Sequence, residues 1–96
     1  MTICQVERYP EILELFEYCG KIGVQAELTR FCGGYHIRFN SGGDVIQHDC
    51  SYGRDKGCVE FCIGIKKVDY RAIPLKRAKM IVRKHKEKLN SEREEN

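Results

Sequence analysis

The chain has 96 residues, 42% hydrophobic and 32% charged, with a net charge of +3 from 17 basic and 14 acidic side chains. That length holds a single domain with a modest core, and the composition excludes collagen, a coiled coil along the whole chain and wholesale disorder. No apolar run is long enough to span a bilayer. Met1 to Glu7 lacks the basic start and apolar stretch of an export signal, so a cytoplasmic chain with no membrane attachment is expected.

Pro10 to Cys19 reads as a first helix. Proline suits the first helical position and Gly20 the residue after the end. Ile12, Leu13, Leu15, Phe16 and Cys19 follow helical spacing, with Glu11, Glu14 and Glu17 on the other side. Val24 to Phe31 alternates as a strand, with Val24, Ala26 and Leu28 on one face. Gly33-Gly34 signals a hairpin. Tyr35 to Phe39 then resumes the alternation, with Tyr35, Ile37 and Phe39 opposite His36 and Arg38.

Asn40 to Gly43 is a second turn, and Asp44 to Cys50 a third strand whose inward face is ambiguous because Val45 and Ile46 adjoin. Ser51 to Gly57 is a polar loop. Cys58 to Ile65 is a fourth strand, with Val59, Phe61, Ile63 and Ile65 on one face. Lys66 to Ile73 reads as a connector, and Pro74 opens a last helix running to about Leu89. Its stripe is Leu75, Ala78, Val82, His85 and Leu89. This order predicts an α+β domain over residues 1–90. Its sheet is a three- or four-stranded antiparallel meander, with an N-terminal and a C-terminal helix packed on one face. Asn90 onward is expected to fray, leaving 91–96 as a polar acidic tail.

Charge is concentrated in that last helix. Residues 1–75 carry 9 Lys and Arg against 10 Asp and Glu, a net of −1. Residues 76–88 carry seven basic side chains and one acid, Glu87, a net of +6. Arg77, Lys84 and Lys88 lie near one another at helical spacing, flanked by Lys76, Lys79, Arg83 and Lys86. Such a face tracks phosphates or meets an acidic protein surface; the ordinary explanation is solubility.

The six cysteines, Cys4, Cys19, Cys32, Cys50, Cys58 and Cys62, are expected as reduced thiols packed as small hydrophobes. His48, Cys50, Cys58 and Cys62 are of the right softness for zinc. However, strand residues four apart lie about 13 Å apart, too far to grip one ion without a bulge. Cys50 with His48 and Asp49 contains the residue types of a thiol nucleophile, but strand neighbours alternate faces and no local catalytic motif surrounds them. The loop from Ser51 to Gly57 offers two glycines and the side chains of Tyr52, Arg54 and Lys56 for an anion, against the plainer reading of a glycine-rich turn with solvated charges.

In two places the texture resembles the double-stranded-RNA-binding domain. One is Leu13-Glu14-Leu15-Phe16-Glu17-Tyr18-Cys19 in the first helix. The other is Leu75-Lys76-Arg77-Ala78-Lys79, where that family carries a Lys-Lys-x-Ala-Lys phosphate clamp. Gly34-Tyr35-His36 echoes its strand-loop histidine. This chain departs from the family by the additional segment from Ser51 to Ile73. The chain also resembles, in texture, small accessory proteins that phages and mobile elements of low-GC bacteria encode, through Ser51-Tyr52-Gly53, Gly57-Cys58-Val59-Glu60 and Lys84-His85-Lys86. That resemblance implies a binding protein, for example one that blocks a host defence such as a CRISPR effector.

The expected function is therefore a non-enzymatic intracellular protein occupying a protein or ribonucleoprotein surface. Its contact residues would be Tyr52, Arg54, Lys56, Arg77, Arg83, Lys84 and Lys88. Direct RNA or DNA binding through the last helix is the alternative, and a small zinc or thiol-dependent domain the second. A homodimer through an edge strand is compatible with all three.

Overall fold

A computed structural model describes residues 8–62 and 69–91. The expectations for Met1–Glu7, Cys4, Ile63 and Ile65, for 66–68 and for the tail from 92 onward fall outside these residues. Helix α1 spans Pro10–Ile22, with Pro10 at its first turn. It runs past Cys19 because Ile22 continues the buried stripe of Ile12, Leu15 and Cys19, and Gly20 is tolerated inside the helix. The stop comes at Gly23, whose φ of 85° is left-handed and needs glycine.

Five strands follow: β1 (Ala26–Phe31), β2 (Gly34–Phe39), β3 (Asp44–Gln47), β4 (Cys58–Cys62) and β5 (Asp69–Pro74). They pair antiparallel in sequence order. The β1–β2 turn is Cys32-Gly33, both at positive φ (48° and 78°), the two-residue geometry that matches strand twist. The expected inward residues of β2 and β4 are confirmed: Ile37, Phe39, Val59 and Phe61 are buried. On β3 the ambiguity resolves with Val45 and Gln47 inward.

The expected connector from Lys66 to Ile73 is instead largely β5. A bulge hid it. Val59 pairs with Ile73 and Phe61 with Tyr70, so β5 spends one more residue than β4 over that interval. Ala72 absorbs the excess at φ 52°. The period-two pattern is broken at that point, and so is the sequence signal. The third strand is shorter than expected. Ser51 closes a turn on His48, its hydroxyl accepting from the His48 amide (3.0 Å) and its own amide donating to the His48 carbonyl (3.1 Å). His48 to Cys50 therefore leave the ladder.

The last helix is bent at His85 into α2 (Leu75–Lys84) and α3 (Lys86–Asn90). Helical bonds still bridge the bend, from His85 N to Ile81 O and from Leu89 N to His85 O. Ala78, Val82 and Leu89 are buried and His85 half-buried. Asn90 does not fray. Its amide donates to the Gly23 carbonyl (2.9 Å) and its carbonyl accepts from Gln25 N (2.7 Å), tying α3 to the loop after α1.

Both helices lie on one face of the sheet, α1 across β1 to β4 and α2 over β4 and β5. The core between them holds Tyr9, Ile12, Leu15, Ile37, Val45, Phe61 and Val82. Gln47 is a polar side chain fully buried there. Tyr9 supplies no side-chain cap to α1, and Gln47 does that work from β3. Its Oε1 accepts from Ile12 N (3.0 Å), and its Nε2 donates to Glu11 Oε1 (3.0 Å) and the Arg54 carbonyl (3.4 Å). One strand residue thus satisfies orphan groups of a helix and a loop.

Candidate partner-binding surface

Packing Ala78 and Val82 inward turns the basic residues of α2 and α3 outward. Lys76, Arg77, Arg83, Lys84 and Lys88 are exposed. Among the described residues Arg77, Arg83, Lys84 and Lys88 form no ion pair. Lys79 is different: its ammonium sits 2.7 Å from Glu14 Oε2 and 5.5 Å over the Tyr18 ring. Of the three basic positions that resemble a phosphate clamp, α1 therefore neutralises one.

The basic surface is not purely polar. Met80 is 55% exposed and Ile81 half-buried. With Arg77, Arg83, Lys84 and His85 they line a shallow cleft of about 360 Å³. A second, more open hollow at the α2–α3 bend runs from Arg83 to Lys88 and Ser91. Met80 lies on the polar side of the helix and outside its core stripe, and that position is the one sequence signal of this apolar centre.

The loop candidates are placed elsewhere. Residues Arg54–Lys56 form a 3-10 turn between Gly53 and Gly57, both left-handed. Cys58 pairs with Pro74, so this loop lies at the end of the sheet where α2 begins. Lys88 is eleven residues beyond Arg77, about 16 Å further along a helix. Arg77 is thus the basic residue nearer the loop, and Lys88 lies at the far end. Arg54 is used structurally, donating to the Ser51 carbonyl (3.0 Å). Lys56 is exposed. Tyr52 is 56% exposed, with the Arg71 guanidinium 4.8 Å over its ring. The amides of Ser51, Tyr52, Lys56, Gly57 and Cys58 all bond internally, so they are not available to cradle an anion.

Among the described residues the zinc candidates do not come together. His48 and Cys50 stand in a turn and not on a strand face. His48 is buried, and its Nδ1 accepts from Cys50 N (3.0 Å), which fixes the ring on backbone and not on the Cys50 thiol. Cys50 is exposed and Cys58 half-exposed. The Cys62 side chain is outside the described residues. Among those residues no three metal-ligating side chains come together. Cys19, Cys32, Cys50 and Cys58 are free thiols. Burial pushes the Cys19 thiol up to about 11, away from the reactive thiolate.

A polar cluster that the sequence did not announce holds the start of α1. Tyr9 is buried and donates its hydroxyl to Asp49 Oδ1 (2.5 Å), and Arg8 Nη2 lies 3.0 Å from the same oxygen. The Tyr9 hydroxyl bond holds the Asp49 carboxyl below its usual range, with Arg8 and Arg54 adding to it. The same bond, with burial, raises Tyr9. Each shift has a definite sign in stability. Asp49, with a lowered native pKa, stabilises above its unfolded value of about 3.9 and ceases to as pH falls through the native value. Tyr9, with a raised one, stabilises below about 10 and ceases to as pH rises through it. Denaturant titrations of the protein and of Asp49→Asn should therefore differ most at neutral pH and converge below about pH 4. A gap that persists in acid would show that the bond is not the cause.

No helix among the described residues is long and apolar enough to cross a membrane. Comparison of the chain with family models, with curated proteins and with solved structures finds no match.

Proposed function

We propose that this chain is a non-enzymatic binding module that seats α2 and α3 on an acidic protein or ribonucleoprotein surface. One observation carries the reading: Met80 and Ile81 form an apolar centre ringed by Arg77, Arg83 and Lys84, cations that α1 leaves unpaired. Protein interfaces have this anatomy, a desolvated centre rich in Met and Arg inside a polar rim. A surface that only tracks phosphates gains from the cations and has no use for the exposed methionine. The sharpest form of the proposal is an inhibitor that covers a host defence effector such as a CRISPR nuclease, the class suggested by the resemblance to phage accessory proteins.

The test is affinity capture from host lysate, followed by reconstitution with the purified partner and a nuclease assay where the partner is an effector. A stoichiometric complex that weakens with salt is expected. Met80→Glu should weaken it about tenfold or more, since a central anchor is worth at least that. Met80 is exposed, so the variant should keep the fold. Salt-dependent binding to duplex RNA or DNA that responds to Lys84→Glu and Lys88→Glu but not to Met80→Glu would favour the nucleic-acid alternative and overturn this one.

A further inference from the structure

The two edges of the sheet are built differently. β5 is blunted against pairing with a further strand. Pro74 ends it without an amide hydrogen, and the bulge at Ala72, at φ 52°, breaks its outline. β1 lacks both devices. All six of its residues pair with β2 in unbroken register, from Ala26 with Phe39 to Phe31 with Gly34. It contains neither proline nor glycine, and among the described residues no strand lies beyond it.

The hairpin turn decides which backbone groups of β1 are free. A two-residue loop, here Cys32-Gly33, is closed by a flanking pair that exchanges both of its hydrogen bonds, so Phe31 bonds with Gly34. Alternation gives the next ladder bonds to Thr29 with His36 and to Glu27 with Arg38. The N–H and C=O groups of Ala26, Leu28 and Arg30 therefore point to the open side, as a template for a further strand. Those positions are symmetric about Leu28. Antiparallel pairing about a two-fold axis there sets Leu28 against its counterpart and Ala26 against Arg30 of the other copy. Each pair can then exchange both bonds, and the helices of both copies stay on one side of the joined sheet.

The side chains suit that register. Leu28 is half-buried on the helix side against the core, so meeting its counterpart covers the rest of it. Ala26 is small, and the Arg30 guanidinium opposite it lies 5.8 Å from the Tyr35 ring. On the outer side Glu27 faces Thr29 of the other copy, with Arg38 opposite it on β2. No two like charges stand directly opposed. We infer that β1 is a self-association edge: two copies of this chain pair antiparallel through it, with Leu28 on the two-fold axis, into one continuous sheet. An unrelated strand could satisfy the same amides, but the symmetry about Leu28 belongs to the chain pairing with itself. The dimer presents the basic face of α2 and α3 twice, and the inference stands whether or not that face binds a partner.

Sedimentation equilibrium of the whole chain between about 10 μM and about 1 mM tests it. A reversible monomer–dimer equilibrium is expected. Leu28→Lys sets like charges against each other on the axis and should weaken association at least about tenfold, as should Leu28→Glu. Mixed in equal amounts the two variants should recover it, because unlike charges then meet. That recovery, with circular dichroism of each variant, keeps loss of association distinct from loss of fold. Amide hydrogen exchange of the parent chain reads the register. Ala26, Leu28 and Arg30 should gain protection with concentration, whereas Thr29 and Phe31 are protected throughout. A monomer at every concentration overturns the inference. So does mixing that recovers nothing, or a dimer indifferent to both charged variants. A dimer lost with Met80→Glu and kept with Leu28→Lys would place the contact on α2 and overturn it too.

Discussion

Replacing Gln47 with leucine is expected to lower the thermal midpoint by roughly 10–20 °C, read by circular dichroism. The two side chains are similar in size, so the variant creates little cavity and isolates the hydrogen bonds. Gln47 is fully buried, and its amide serves the Ile12 N–H, the Glu11 carboxylate and the Arg54 carbonyl. Leucine leaves the first without an acceptor and the others without a donor. A buried group left unsatisfied costs about 1–3 kcal/mol. Glu11 and the loop can turn partly to water, so a total of about 2–4 kcal/mol is expected, which sets the shift in midpoint. Gln47→Glu is the informative companion. It restores an acceptor for Ile12 but places a carboxylate against Glu11, so it should be destabilised at neutral pH and recover partly in acid. A leucine variant as stable as the parent would mean that Gln47 does not cap α1.

The second large effect is expected at Gly34. A Cβ there would overlap the Gln47 carbonyl oxygen and lie 2.5 Å from His48 Cα. Both are backbone, at the point where β3 leaves the ladder, so no side chain can turn aside. Gly34→Ala must part β2 from the end of β3, at about 3 kcal/mol by analogy with overpacked cores. Gly20→Ala is the opposite case. A Cβ there meets nothing within 4 Å, and the position is inside α1, so alanine should stabilise by about 0.5–1 kcal/mol. Urea denaturation of the pair measures both signs in one experiment. Equal effects would show that backbone crowding is not what requires glycine at position 34.

Much of the architecture was legible because local chemistry and burial agree. Pro10 and the Ile12, Leu15 and Cys19 stripe marked α1, and the alternation around Ile37 and Phe39 marked β2 with its inward face. The element that escaped, β5, escaped at the bulge of Ala72, where pairing with β4 supplies the order that its own pattern lacks. His48 to Cys50 read as strand because nothing local reveals that Ser51 will close a turn on His48.

The candidate surface divides in the same way. The basic character of α2 and α3 is a matter of composition and could be counted. Which cations remain unpaired depended on α1 lying close enough for Glu14 to take Lys79. Arg54, a contact candidate by residue type, proved to be engaged with the Ser51 carbonyl. Tyr52 gained its guanidinium partner from a strand that the sequence had hidden.

By itself, then, the sequence determined the helix–meander–helix order, the inward faces of most strands and the placement of positive charge at the C-terminal end. These are properties of spacing, and spacing is local. Only the tertiary structure decided that Gln47 caps a helix from across the core and that Met80 lies among unpaired cations. It alone decided that Arg71 stacks on the Tyr52 ring. Those are meetings of residues distant in the chain, decided by sheet register and by which face the helices cover.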